Sequence, residues 1–208
     1  MTTRRSQAER TSATRRALLD AARAAFAEHG FTGTGREQVA AAAGVTRGAL
    51  YHHFGTKEGL FRAVVEELES GLAEQVAAAA GQGSDPVDEL RRGCLAFLDA
   101  CLEPAVRRIV LLEAPVVLGW DAWREIDARY GLALVRAGLA GALDQVGLDP
   151  AAVDPLAHLL LGALNEAALL VATADDPVRA REEVGRTVVL VLDRLLASGV
   201  TPATSPTP

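Results

Sequence analysis

Aromatic side chains are scarce in this chain: five Phe, two Trp and two Tyr among 208 residues. A core made without them rests on Ala, Leu and Val, a composition that favours helices with modest side chains. Cysteine is scarcer, with two residues. Cys94 and Cys101 lie seven apart on one expected helix, ~10 Å along its axis and too far for a disulfide, so they read as small apolar fillers. No apolar run reaches the ~18 residues of a membrane span; Asn165 and Glu166 interrupt the best candidate, and Asp193 and Arg194 the next. The opening MTTRRSQAER has no apolar stretch and does not form a signal peptide. The protein is therefore expected to stay in the cytoplasm.

Catalytic patterns are missing from the sequence as well. It contains no G-x-S-x-G, no H-E-x-x-H and no C-x-x-C. GTGREQ, residues 33–38, begins like a dinucleotide fingerprint, but a helix precedes it and the last glycine is absent. Lys57 follows Thr56, which rules out a P-loop. His52 and His53 are neighbours, and a helix sends neighbours 100° apart, a poor arrangement for one metal ion. The sequence thus calls for no catalytic residue, no metal and no cofactor, and the reading is not an enzyme. No strand pattern and no internal repeat appears, so the expected fold is all-α.

Negative charge prevails, at a net −6, which taken alone argues against nucleic acid. The distribution says otherwise. Residues 1–57 hold nine basic and four acidic side chains, and residues 58–208 hold twelve and twenty-three. A basic head on an acidic body suits one domain that meets phosphates and another that does not. Lysine is almost absent: Lys57 is the single one, and arginine supplies the rest.

What is present centres on residues 34–57, TGREQVAAAAGVTRGALYHHFGTK. Thr34 and Glu37 have the spacing of a capping box. Gly44 ends that helix, Thr46 caps the next, Gly55 ends it, and Thr56 caps a third. Two helices of about eight or nine residues joined by a short turn holding Gly make a helix-turn-helix pattern. Leu50 and Phe54, with Val45, share one side of the second helix and face Val39, Ala40 and Ala43. The opposite side carries Arg47, Gly48, Tyr51 and His52. Arginine in the first turn of a helix that enters a major groove points toward base edges.

Residues 30–61, GFTGTGREQVAAAAGVTRGALYHHFGTKEGLF, resemble the DNA-binding signature of the TetR family of one-component bacterial regulators. The matching features are Gly30-Phe31, Thr34, the Ala43-Gly44-Val45 turn, Thr46, the run from Gly48 to Phe54, Lys57-Glu58 and Leu60-Phe61. Gly35 and Arg36 depart from the commonest pattern; Gly35 weakens the first turn by up to ~1 kcal/mol relative to Ala, and Arg36 is placed to reach a phosphate. The resemblance implies DNA contacts from Thr34, Arg36, Thr46, Arg47, Gly48, Tyr51, His52, His53 and Lys57. It also implies two recognition helices, one per subunit, on a near-palindromic duplex.

The rest of the chain reads as helices between breakers. A basic arm precedes a first helix that starts between Ser6 and Thr14 and stops at Gly30; Leu18, Ala21, Ala22, Ala25 and Phe26 form its inner face. A fourth helix carries Leu60, Val64, Leu68 and Leu72 to about Ala80. GQGSDP, residues 81–86, is the clearest break, with Asp85 and Pro86 opening helix five. Helix six starts near Pro104, and Pro115 is expected to kink or end it. Helix seven spans Trp120 to Val146. Asp149-Pro150 and Asp154-Pro155 are cap signals before helix eight, Asp176-Pro177 opens helix nine, and Gly199 closes it. The expected domains are a helix-turn-helix head at 1–56 (the motif itself at 35–54), a connecting helix at 57–80, a regulatory and dimerising body at 85–200 and a disordered tail at 201–208.

Helices eight and nine are apolar nearly all round and need covering on most sides. A second copy would complete a four-helix bundle, which the resemblance also implies. The expected seam is Leu160, Leu164, Leu169, Val184, Val188, Val191 and Leu195, with His158 and Asn165 able to meet their symmetry mates. The resemblance further implies a small-molecule effector within the body. Phe97, Leu111, Glu113, Val116, Trp120 and Trp123 are its candidate lining, with Asn165, Glu166 or His158 as polar handles. Two functions follow: a repressor released from its operator by a small apolar or amphipathic ligand, or a DNA-binding regulator with a filled core that answers to a protein partner or to no small ligand.

Overall fold

A computed structural model describes residues 7–197. The basic arm before Gln7, the expected stop at Gly199 and the tail lie outside them. Among the described residues there are helices and turns and no strand. The long first helix, α1 (Gln7–Gly33), is broken at Gly30, which takes φ 73° and ψ 174°. Three shorter steps follow: α2 (Arg36–Ala42), α3 (Arg47–Phe54) and α4 (Lys57–Ala80). Then come α5 (Pro86–Ala100), a π-helical stretch Val106–Glu113 that runs into α6 (Ala114–Val117), and α7 (Trp120–Asp127). A π turn Ala128–Leu132 leads into α8 (Ala133–Gln145), and α9 (Val153–Thr173) and α10 (Pro177–Ala197) complete the described chain.

The chain divides into two compact units. One comprises Met1–Glu69 and Glu103–Ile126; the other comprises Ser70–Leu102 and Asp127–Pro208. Residues 103–126 thus belong with the head, a grouping the sequence breaks do not reveal. The reason lies at the end of the first part of α1. Arg108 donates to the carbonyls of Glu28 at 2.8 Å and Ala27 at 3.3 Å, and Glu113 accepts from the Phe31 N–H at 2.7 Å. Arg108 and Glu113 also bond to each other, 3.2 Å apart, and Arg23 pairs with Glu103. Helix ends leave carbonyls without partners. Here a distant segment supplies the cap.

The first unit is organised around an aromatic cluster. Phe26 and Phe61 are fully buried. Their rings meet edge to face at 5.1 Å, and Phe31 meets Phe61 in the same way at 5.2 Å. Leu18, Leu19, Ala22, Leu50, Leu60, Val64 and Val65 are buried in the same unit. The second unit buries Leu90 and Cys94 of α5, Leu139 and Leu143 of α8, Leu161 and Leu164 of α9, and Leu192 and Leu196 of α10. Burial pushes the Cys94 thiol up to about 12, and both cysteines are buried, which agrees with their reading as fillers.

Several local expectations need correction. Helix six does not end at Pro115 but runs on to Val117; it is π-helical before the proline, and the Ala114 N–H reaches back five residues to the Ile109 carbonyl. The widened turn admits a ring that a regular helix would force against a carbonyl. Helix seven is interrupted by the π turn at Ala128–Leu132. Gly131 sits within it, where an added Cβ would come to 3.1 Å from Leu161 and 3.3 Å from Asp127. Asp149 caps a short 3-10 turn through the Ala151 N–H, whereas Asp154 lies inside α9 and pairs with Arg136 at 2.8 Å. Pro150–Thr173 has the length and the mean hydropathy, 1.6, to cross a bilayer, contrary to the reading of its apolar run. Its inner side is core, however, and its Asn165 amide donates to the buried Asp127 carboxylate at 2.9 Å.

Candidate nucleic-acid interface

The recognition element α3 is held by its start, its stop and one leucine. The Thr46 hydroxyl accepts from the Ala49 N–H, and Gly55 (φ 70°) ends the helix, its N–H bonding the Tyr51 carbonyl. Gly44 (φ 67°) turns the chain between α2 and α3, and the Val45 N–H returns to the Ala40 carbonyl at 3.0 Å. Leu50 is fully buried against the first unit's core, as are Val39 and Ala40 of α2. Phe54, expected beside Leu50 in that core, is half-buried, and the Arg15 guanidinium covers its ring at 5.4 Å.

With Leu50 inward, the helical period turns Arg47, Gly48 and His52 outward, and all three are exposed. Tyr51, His53 and Lys57 are half-buried. An added Cβ at Gly48 would find only the Thr46 hydroxyl, at 3.8 Å, so no other described residue fills the space above it. Arg47 donates to the Tyr51 hydroxyl at 3.2 Å and lies 3.0 Å from the Glu37 carboxylate. The guanidinium groups of Arg36 and Arg47 each sit 5.4 Å from the centre of the Tyr51 ring. The hydrogen bond with Tyr51, followed by the charges of Tyr51 and Glu37, raises the Arg47 pKa above its ordinary value. Lys57 places its ammonium 4.4 Å over the Phe31 ring, a cation–π contact that fixes its position at the start of α4. The His52 and His53 rings lie 5.4 Å apart at 73°.

Thr34 is corrected on both counts. It does not form a capping box: Gly35 is the N-cap of α2 without a side-chain bond, and Glu37 turns to Arg47 instead. Nor does it face outward, being 2% exposed with its hydroxyl between the Gly30 and Ala25 carbonyls at 2.7 and 3.0 Å. Its own N–H already meets the Phe31 carbonyl, which removes the need for a carboxylate. Sequence reasoning also missed Glu37 as a partner of Arg47. Ten residues and a turn separate the two, and no helical spacing signals that pair.

The residues expected to line an effector pocket are divided between the two compact units. In the first unit Leu111 and Trp123 are buried, but Val116 and Trp120 are 83% and 62% exposed. The Glu113 carboxylate is committed to Phe31 and Arg108. In the second unit Phe97 is half-buried, the Asn165 amide donates to Asp127, and His158 and Glu166 are exposed. An open groove of about 370 Å³ lies between α5 and α10, lined by Leu95, Arg181, Glu182, Gly185, Arg186 and Val189, none of them among the expected lining.

The residues of the expected seam differ in exposure within the single chain. Leu164 is buried in its own unit, and Leu160 and Val188 are partly buried against that same core. Leu169, Val184 and Leu195 are half-buried. The large apolar side chains that α9 and α10 turn outward are Leu159, Leu170, Val178, Leu190 and the predicted Val191, each more than half exposed. On a helix that is apolar all round, periodicity does not say which side faces home.

An all-helical chain with a capped, leucine-anchored second helix showing arginine and tyrosine is a helix-turn-helix DNA-binding regulator. Residues 18–64 match the family model described as bacterial regulatory proteins of the tetR family. Residues 87–195 match the tetracyclin repressor-like C-terminal domain. The chain belongs to the TetR family of transcriptional regulators, which are not enzymes. A TetR-family regulator from Pectobacterium atrosepticum is similar in structure, with 33% identity and a TM-score of 0.78 over 92% of this chain and 97% of that one. The repressor AcnR of Corynebacterium glutamicum is 45% identical over 62 residues, 30% of this chain and 33% of its own length. The regulator AcrR of Shigella flexneri is 35% identical over 99 residues, 47% and 46% of the two chains. The chain thus spans a third to a half of the length of these two curated relatives. Regulators of this family bind operator DNA and function as dimers with small-molecule effectors.

Proposed function

We propose that the protein is a cytoplasmic, homodimeric repressor that binds a near-palindromic operator through α3 and is released by a small apolar or amphipathic molecule held in the body. The domain division that goes with this reading is a head at 1–56, a connecting helix at 57–80 and a body at 85–200, from which residues 103–126 are lent to the head's compact unit. The observation that carries it is the outward face of α3, where Arg47, Gly48 and His52 stand exposed on a helix pinned by Leu50. Arg36, Thr46, Tyr51, His53 and Lys57 flank that face as phosphate or base contacts. A helix presented in this way docks in a major groove and reads bases with its first turn.

Arg47→Ala should cost about 1–3 kcal/mol on the operator and relax base preference at one position of each half-site. Lys57→Ala should instead weaken every duplex alike and lower the salt slope by about one per head. Titration of both variants against operator and scrambled duplexes separates the two roles; unchanged base preference in Arg47→Ala would refute the reading.

The outward apolar side chains of α9 and α10 suit a seam with a second copy, because monomers rarely leave such a strip uncovered. Leu190→Asp should yield monomers with poor operator affinity and an intact fold, since Leu190 is 56% exposed and packs little in its own chain. Sedimentation velocity that found an unaltered dimer would remove this face from the interface.

A further inference from the structure

Arg47 is the exposed cation best placed to read a base, and it is not free. Its Nη1 lies 3.0 Å from Oε1 of Glu37 on α2, and its Nη2 donates to the Tyr51 hydroxyl at 3.2 Å, one turn along α3. Its plane sits over the Tyr51 ring, whose centroid the Arg36 guanidinium also approaches to 5.4 Å. A guanidinium has five N–H donors. One is spent on Tyr51 and Glu37 holds Nη1 as an ion pair, which leaves donors enough for a bidentate contact.

We propose that Glu37 is a specificity-determining residue: with Tyr51 it positions Arg47 for a base edge and withholds it from the phosphates. This rests on the reading of α3 as the recognition helix. In a major groove phosphates line both walls and bases form the floor. Attraction to phosphate is blind to sequence, while a base edge rewards a fixed fork. An arginine on a loose tether goes to the nearest phosphate and adds affinity everywhere. The Glu37 carboxylate cancels much of that pull, and the two anchors hold the fork in one orientation. Exposed pairs of this kind add little to stability; both partners are more than half exposed here, at 56% and 65%. Glu37 therefore acts on discrimination and leaves folding alone.

The test uses the full-length protein, a duplex recovered by selection from a random library, and a scrambled duplex of the same length and composition. Affinities are read by fluorescence anisotropy over a salt series, beside a denaturant melt. Glu37→Gln should bind the scrambled duplex about three- to tenfold more tightly, with a salt slope steeper by about one per head as Arg47 takes up a phosphate in each. The ratio of affinities for selected over scrambled duplex should fall about tenfold, and the melt should not move. Tyr51→Phe, which keeps the ring and removes the hydroxyl, should lower the ratio in the same direction. A ratio unchanged in Glu37→Gln, whether both affinities rise together or neither moves, overturns the proposal while the recognition role of α3 stands. A wild-type protein that selects no duplex overturns that role, and the proposal with it.

Discussion

Phe61→Ala should lower the unfolding free energy by about 3–5 kcal/mol, the usual cost of emptying a packed aromatic site. Phe61 is wholly enclosed, with Phe26 and Phe31 both edge-on to it at just over 5 Å. It joins α4 to α1, and Phe31 carries the Lys57 ammonium on its face. Removing the ring takes away the apolar burial, about 0.5–1.5 kcal/mol for each aromatic pair, and the support under Lys57. Operator affinity should fall along with stability, because α1 is the wall against which α2 and α3 pack. Chemical denaturation of Phe61→Leu and Phe61→Ala side by side checks the account: leucine should recover more than half of the loss. A loss below about 1 kcal/mol for alanine would mean the site collapses without penalty.

Gly30→Ala should cost about 2–4 kcal/mol, from two sources that can be separated. At φ 73° and ψ 174° the backbone occupies a region essentially reserved for glycine, where other residues pay about 1–3 kcal/mol. A Cβ there would also run into the Glu113 carboxylate and the Arg108 guanidinium. To admit it, Glu113 must leave the Phe31 N–H or Arg108 must leave the last carbonyls of α1, and a buried or half-buried group left unpaired costs about 1–3 kcal/mol. Gly147 is the control: it too has positive φ, at 70°, but nothing lies within 4 Å of its would-be Cβ. Gly147→Ala should cost about 1 kcal/mol. Equal losses at the two sites would show that the contact with residues 108 and 113 contributes nothing. The helix-turn-helix begins just beyond Gly30, and Thr34 hangs from its carbonyl. Operator binding should therefore weaken more in Gly30→Ala than in Gly147→Ala.

Legibility followed the range of the interactions. The caps at Thr46 and Asp85, the turn at Gly44 and the break at Gly30 are set by residues within a few positions of one another, and each was readable in the chain. So was the outward face of α3, because one buried leucine and a helical period determine it. Thr34 misled because its sequence spacing to Glu37 satisfied a local rule, while a competing pair of carbonyls lay nine and four residues behind it. Glu113 misled because a carboxylate in an apolar neighbourhood resembles a ligand handle, whereas its partner is a backbone N–H 82 residues earlier.

The chain by itself determined the all-α class, the position of the helix-turn-helix, the face of α3 and the family, since all of these arise from short-range periodicity and capping. Tertiary structure alone decided that residues 103–126 join the head, which sides of α9 and α10 face outward, and that Arg47 rests between Glu37 and Tyr51. The physical reason is that each of these depends on which of several equally apolar or equally charged groups finds a partner across a turn or a loop. Helical spacing carries no record of that choice.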